Sequence, residues 1–434
     1  MFFNKKNLLF FCLVILCGCS SHTSFRDKYA LAYQQGNFAE ADQILTKKID
    51  RELPQGNITK SGDATWLLLD RATVRFAMGS DKGSIDDYKQ AIKALDFFRQ
   101  ALFSESIGKI LLSDKVGAYP AENYEQLLAR LYFALALIQN NDVNNGIALL
   151  KQAESLQQEY LQLYQKTAYM DGFSLEANPV AKYLLALYSE KNRDSSNAKI
   201  LYRQVSQLIG SDNFDRFEVL TDPDLAALLL LGHNGNAPYK VSVKSPASQA
   251  SALGLAFFLQ GTDVGSGAFS ALPGIPVPEL MNWPAGSPIP LSASLDGITR
   301  HLVRWYNIDR VAREELKQAR PIIIARGVAR LLIRSGAVVM VGEKSRDLQD
   351  ALTVAMFIAN IATEADTRSW ATLPYAIDLA RFDLVPGEHI LSVAGRQFSI
   401  ALKEGEVCIV NLFALHPGVI VVRIPAKNRT SFHR

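Results

Sequence analysis

Four times between residues 24 and 210, an apolar stretch with helical spacing meets a short polar break and a second such stretch follows. The pairs are Phe25 to Gln35 with Phe38 to Ile49, Ala64 to Met78 with Ser84 to Phe103, Tyr124 to Gln139 with Val143 to Gln165, and Asn178 to Glu190 with Ser195 to Ile209. The breaks are Gly36-Asn37, Gly79-Ser80-Asp81, Asn140-Asn141-Asp142 and Asn192-Arg193-Asp194. Apolar residues three and four apart share one helix face. A single pair cannot bury that face alone, so the pairs must stack. A helical-repeat domain over residues 24–210 is the expectation.

The pairs resemble tetratricopeptide-type repeats through Ala30, Tyr33, Gly36, Phe38 and Ala41, then Ala134, Ala136, Asn141 and Ala148, then Leu184, Ala186, Tyr188 and Ala198. They depart from that pattern in uneven length, in mostly missing closing prolines, and in irregular stretches at 50–63 and 104–121. The resemblance implies a solenoid with a concave groove suited to an extended peptide or a partner helix. The competing reading is a plain helical bundle without a groove.

Residues 211–296 read as a mixed Gly/Pro-rich connector with short strands. Leu225 to Leu231 is expected to be a buried helix, Gly232 to Lys240 a turn-rich loop, and Lys240 to Lys244 a half-solvated strand. The Gly232–Gly235 loop lacks the lysine and hydroxyl of a phosphate fingerprint, so it reads as a turn. The prolines between Gly261 and Pro290 exclude a helix or a central strand.

Residues 297–370 are expected to be helical, with an interruption at Pro321. Arg326, Arg330 and Arg334 recur every four residues, on one face. They suit anionic lipid headgroups or an acidic partner, or else form a solvated face. Three arginines within Ile322 to Val341 argue against a membrane span, at about 2.5–3.5 kcal/mol each at the bilayer centre.

From Tyr375 the period becomes two. Tyr375–Phe382, His389–Val393, Gln397–Leu402, Val407–Leu412 and Val419–Ile424 are expected strands with glycine at each turn between them. An antiparallel β module over 371–426 follows, sandwich-like, with a basic tail at 427–434. The fold class is thus α+β, mainly α: a tetratricopeptide-like solenoid ahead of a small antiparallel β-sandwich-like module.

Location is read from the first residues. Lys5 and Lys6 precede an apolar run from Leu8, and Leu16-Cys17-Gly18-Cys19 resembles the lipobox of bacterial lipoproteins. The run is too short for a bilayer, which needs about 20 residues. Residues 1–18 are expected to be a signal peptide and 19–23 a tether lipidated at Cys19. That covalent lipid is the only cofactor expected, and no metal site is read from the sequence. Ser20 after the anchor favours, by analogy with such lipoproteins, the periplasmic face of the outer membrane. Cleavage would remove Cys12 and Cys17, leaving Cys408 as an isolated thiol in a strand and no intramolecular disulfide. It would also leave 44 basic against 43 acidic residues, a balance that does not suggest nucleic acid as a partner.

With the lipobox and the repeats, Gly235-Asn236-Ala237-Pro238-Tyr239-Lys240, the Ile322-to-Arg334 stretch and Glu364-Ala365-Asp366-Thr367-Arg368-Ser369-Trp370-Ala371-Thr372-Leu373-Pro374 resemble an uncharacterised family of bacterial envelope lipoproteins. The resemblance implies an envelope location and carries over no catalytic residue. The last of these runs has a physical reading of its own. Asp366 and Arg368 can brace one turn, and Trp370 can cover the joint between helix and sheet; an enzyme site built on Glu364, Asp366 and Arg368 is the rival. No His-Glu-x-x-His, Gly-x-Ser-x-Gly or paired-Cys zinc pattern occurs.

The expected function is a membrane-anchored protein-interaction scaffold, without enzyme activity, in outer-membrane or peptidoglycan assembly, with an envelope protein as partner. The alternatives are a glycan- or lipid-binding protein using Trp283, Trp305 and Trp370, or a cell-wall-modifying enzyme.

Overall fold

The computed structural model describes residues 22–53, 63–104, 119, 121–166, 177–210, 221–244, 276–320, 323–324, 365–416 and 418–429. The protein is α+β, with its helices mainly in the N-terminal part and its sheets in the C-terminal part.

Eight helices fall where the apolar periodicity puts them: α1 (His22–Gln34), α2 (Phe38–Glu52), α3 (Ala64–Met78), α4 (Asp81–Ser104), α5 (Asn123–Gln139), α6 (Val143–Lys166), α7 (Pro179–Lys191) and α8 (Ser195–Ile209). The break inside each pair has one geometry. A residue in the left-handed region closes the first helix, namely Gly36, Gly79, Asn141 and Arg193. The next amide then reaches back five residues: Asn37 to the Ala32 carbonyl, Ser80 to Arg75, Asp142 to Leu137 and Asp194 to Ser189, at 2.8–2.9 Å. This turn satisfies carbonyls a helix end leaves open and sends the chain back antiparallel.

The two helices of a pair are not equivalent. Thirteen of fifteen residues of α3, fifteen of seventeen of α5 and twelve of thirteen of α7 are buried. Only four residues of α2 and three of α8 are. The first helices are covered on both sides, by the second helices and by a sheet.

That sheet has five strands: β1 (Ala226–Asn234), β6 (Val303–Asn307), β7 (Ala376–Leu384), β10 (Val407–His416) and β11 (Val419–Arg423), in the order β11-β10-β1-β7-β6. The central strand β1 runs parallel to β10 and antiparallel to β7. A second sheet holds β4 (Ser292–Leu295), β5 (Ile298–His301), β8 (Gly387–Val393) and β9 (Arg396–Leu402), in the order β5-β4-β8-β9. A separate ribbon pairs β2 (Tyr239–Val243) with β3 (Val277–Met281).

Side chains alternate across the five-stranded sheet. Leu229, Leu231, Ile377, Leu379, Ile409 and Phe413 share a core with the helices. Leu228, Leu230, Phe382, Cys408, Val410 and Leu412 share a second core with Leu295, Leu391, Val393, Ile400 and Leu402 of the four-stranded sheet. Cys408 is fully buried, and burial pushes its thiol up to about 12.

Four expectations need correction. The run Leu225 to Leu231 is not a helix: Ala226 to Leu231 lie in strand β1; all nine β1 residues are buried, and a strand covered on both faces reads as one apolar run. Residues 298–307 form β5 and β6, and a helix follows only over residues 308–320. Asp296 and Gly297 both take positive φ and close the β4–β5 hairpin, a type I′ turn that Asp-Gly favours. The strands after 375 do not form a self-contained antiparallel meander, because β10 pairs parallel with β1, and β4, β5 and β6 also join. The inner face of the helical layer is not open: the chain's own sheet fills it.

Candidate functional site

The polar groups between the helices and the sheet are concentrated where residues 365–375 cross the inner helices. Those residues approach as irregular backbone, so their amides need acceptors, and buried carboxylates on successive helices supply them. The Trp370 amide donates to Glu125 Oε1 of α5 at 2.9 Å. The Thr372 amide donates to Asp70 Oδ1 of α3 at 2.9 Å. The Trp370 indole N–H donates to Thr73 Oγ1 of α3 at 3.0 Å. Glu125 also accepts from the Tyr119 hydroxyl and, at 2.9 Å, from the Glu122 amide at the start of its own helix. Asp70 Oδ2 accepts from the Tyr29 hydroxyl of α1 at 2.6 Å.

Asp366 and Arg368 lie at the near end of this crossing. Their charges meet at 2.7 Å, and Arg368 also reaches Asp63, next to the start of α3, at 3.1 Å. Burial lowers Arg368, but hydrogen bonding and charge from Asp366, with Asp63 added, outweigh it and hold the guanidinium above its usual range. Trp370 is 1% exposed, between the rings of Tyr88 and Tyr132 at 6.1 and 5.6 Å.

The electrostatics follow from dehydration. Burial pushes Asp70 up to about 7 against the hydrogen bonds from Tyr29 and Thr372. Burial also raises Glu125. Glu315, on the helix over residues 308–320, accepts the Asn123 and Tyr124 amides at 3.1 Å and so caps α5. Burial, then the Glu122 charge, holds Glu315 well above the usual carboxylate range. Lys240, in β2, ion-pairs with Glu122. Burial lowers Lys240, and Glu122 and Glu125 more than reverse it.

Carboxylates displaced upward are what acid–base chemistry requires. Here Asp70 and Glu125 are fully buried and their oxygens face protein N–H and O–H donors. The arrangement fastens backbone.

Two further polar joints connect sheet and helices. His233 of β1 stacks on Phe413 at 4.4 Å. Asn411 Nδ2 donates to Gln139 Oε1, leaving Asn411 Oδ1 to accept from His233 Nε2–H at 3.0 Å. His233 Nδ1 then accepts from the Tyr132 hydroxyl at 2.8 Å. Burial lowers His233 to about 4, so the ring is neutral. At the other end, Arg381 of β7 meets Glu190 of α7 at 2.6 Å and Asp383 at 2.6 Å. Burial pushes Glu190 up, but Arg381, with Tyr202 and Thr221, overcomes it and holds the carboxyl at about 2.

Around these joints the loop expected over Gly232 to Lys240 is shorter, because Gly232 to Asn234 extend β1 and Tyr239 and Lys240 open β2; residues 235–238 between them are knitted in. The Gly235 amide donates to the Ala414 carbonyl, Asn236 to Gly286 and Ala237 to Leu373. Gly235 has φ +70°, and a Cβ there would stand 2.5 Å from the Gly286 carbonyl oxygen. Close backbone approach explains the glycine.

Facing solvent, a cleft of about 320 Å³ lies between α4, α5 and α6, lined by Asp96, Arg99, Arg130, Lys151, Ser155 and Glu159 among others. Arg130 pairs with Asp96 at 2.5 Å and Arg99 with Glu159 at 2.6 Å, while Lys151 is exposed.

Of the residues singled out from sequence, Asp366, Arg368 and Trp370 come together at the crossing. Cys19, Arg326, Arg330, Arg334 and Glu364 lie outside the described residues, as does the stretch 325–364 of the segment expected to be helical. Trp305 and Trp370 are buried, which removes both as stacking surfaces; Trp283 is half-buried against Tyr239. His301 pairs with the first residue of β4, whereas His389 bonds Asp296 just beyond its last, so the two histidines stand apart.

The sequence reading missed Asp70, Glu125 and Glu315. Asp70 had a signal, a lone acid inside Trp66-Leu67-Leu68-Leu69-Asp70-Arg71-Ala72; Glu125 sits at the third helical position, where a capping box places it. Among the described residues, no group of three or more His, Cys, Asp or Glu is placed to hold a metal, and no helix is long and apolar enough to cross a membrane. No protein-family model matches the chain, and no curated protein matches it.

Proposed function

We propose that this chain is a lipid-anchored envelope protein, tethered through Cys19 at the periplasmic face of the outer membrane, that acts as a protein-interaction scaffold in outer-membrane or peptidoglycan assembly. On this reading the helical layer is a tetratricopeptide-like solenoid and the two sheets a β-sandwich. The repeated left-handed turn within each helix pair supports the first, and the core shared between the two sheets supports the second. The family resemblance carried by the lipobox and the Glu364-to-Pro374 run belongs to the same proposal.

The observation that carries the scaffold reading is the crossing itself. Asp70, Glu125 and Glu315, the groups that would otherwise be chemically poised, each hold backbone of a distant segment. This ties helices and sheets into one cross-braced body. The groove expected to receive a partner holds the chain's own sheet, so docking moves to the outer helices. The charged cleft between α4 and α6 is the described feature best shaped for it.

A photo-crosslinking residue at Gln152, at the cleft mouth, tests this in cells. A discrete protein adduct that disappears with Lys151→Glu is expected. Adducts to glycan or lipid instead would favour the binding-protein reading, and adducts indifferent to Lys151→Glu would remove the cleft. Cys19→Ala should release the protein from membranes, and its retention there would overturn the anchor.

A further inference from the structure

We propose that the face formed by the start of α1, the β2–β3 ribbon and Trp283 rests on the surface of the lipid bilayer. This builds on the reading of Cys19 as the acylated anchor and adds an orientation to it.

The argument is one of reach. Cys19 stands three positions before His22, the first residue of α1. Three residues span at most ~10 Å when fully extended. Arg26 lies one helical turn further, ~6 Å along the axis. Arg26 joins α1 to the ribbon: its guanidinium lies 4.2 Å from the centre of the Tyr239 ring and 5.6 Å from that of Trp283, and it donates to the Lys240 carbonyl at 2.8 Å. Tyr239 pairs across the ribbon with Met281. A tether this short does not let the body swing away from the membrane, so the surface beside the start of α1 must lie at headgroup level.

The side chains there suit that place. Met281 is 48% exposed, and Tyr239 and Trp283 are partly exposed. Tyrosine and tryptophan favour the polar–apolar boundary of a bilayer because their rings are apolar with a polar edge. Arg313 fixes the end of the ribbon, donating to the Leu280 carbonyl at 3.1 Å and to Asn282 Oδ1 at 2.5 Å. Two other exposed apolar side chains serve as contrasts. Leu208 lies at the end of α8, in the last of the four helix pairs, and Val385 lies in the turn before β8, on the far side of the five-stranded sheet.

The test uses the full-length protein, acylated at Cys19, in vesicles of phosphatidylethanolamine and phosphatidylglycerol. Met281→Cys, Val385→Cys and Leu208→Cys each receive one environment-sensitive fluorophore; Cys408 is buried and stays unlabelled. Flotation with the vesicles reports the anchor, and quenching by a headgroup spin label reports the orientation. The expected result is flotation of all three, with quenching at position 281 several-fold stronger than at 208 or 385. Flotation with equal quenching, or with position 385 quenched most, overturns the orientation alone. Failure to float overturns the anchor and, with it, this inference.

Discussion

Replacing Asp70 by Asn should change how stability depends on pH, and the size of the change follows from where the carboxyl sits. Asp70 is fully buried, and its pKa rises from 3.8 to about 7. A carboxyl that is the weaker acid in the folded chain favours folding at low pH. The unfolded chain gives up this proton near pH 4, whereas the folded chain keeps it until about 7. Between pH 5 and 7 each pH unit therefore removes about 1.4 kcal/mol, about 3 kcal/mol in all, and the loss levels off above the folded pKa. Asparagine keeps the oxygen that accepts the Thr372 amide, sets an N–H toward the Tyr29 oxygen, and carries no charge. The stability of the natural protein relative to Asp70→Asn should thus fall by about 3 kcal/mol between pH 5 and 9. Urea denaturation of residues 22–434 at both pH values measures it. Taking the difference removes the contributions of Glu125 and Glu315, which are raised in both proteins. A difference that stays flat, or grows with pH, would show that Asp70 ionises without penalty and would refute the account of the crossing.

Two further outcomes bear on the other joints. Arg381→Met should cost about 3–5 kcal/mol by removing the nearer of the two cations that pair the buried Glu190 carboxylate, the other being Lys191 at 3.2 Å; adding Glu190→Gln should recover much of this in thermal unfolding, and no recovery would mean that Arg381 acts by packing. His233 should show the neutral ring with Nε2 protonated by nitrogen NMR throughout pH 5–8, because its pKa is lowered from 6.5 to about 4. The unfolded chain takes up that proton first, so His233 supports folding above pH 6.5 and withdraws about 3 kcal/mol as pH falls toward 4.

The helices were legible because their signal is local. Apolar spacing marked all eight, and the polar breaks fell on the residues that turn left-handed. Strands β8 to β11 were legible for the same reason, through period two and glycine turns. Strand β1 was not, since an apolar run of that length suits a buried helix as well as a strand covered on both faces. Its partners decide it, and they lie some 140 to 180 residues further along. The Asp296-Gly297 hairpin was a missed local signal, hidden by the nearby arginines that suggested a helix. Of the crossing, the Asp366–Arg368 pair and Trp370 could be read from their own run. Their anchors Asp70 and Glu125 are acids on otherwise apolar helix faces, and their role depends on backbone about 245 and 300 residues away.

The place of β1 also sets an order of events during synthesis. This strand leaves the ribosome directly after the helical layer, yet both its neighbours in the sheet arrive only with residues 376 to 416. Until then the inner helices have β1, β6 and the residues around Trp370 against their apolar face, but not β7 and β10, which complete the cover. The emerging chain therefore passes through a long interval in which a holding chaperone would find a target, and a chain cut short before residue 407 would lack β10 and β11 and leave one edge of β1 open. Sequences of this plan should be far more sensitive to loss of their last thirty residues than to damage in the outer helices.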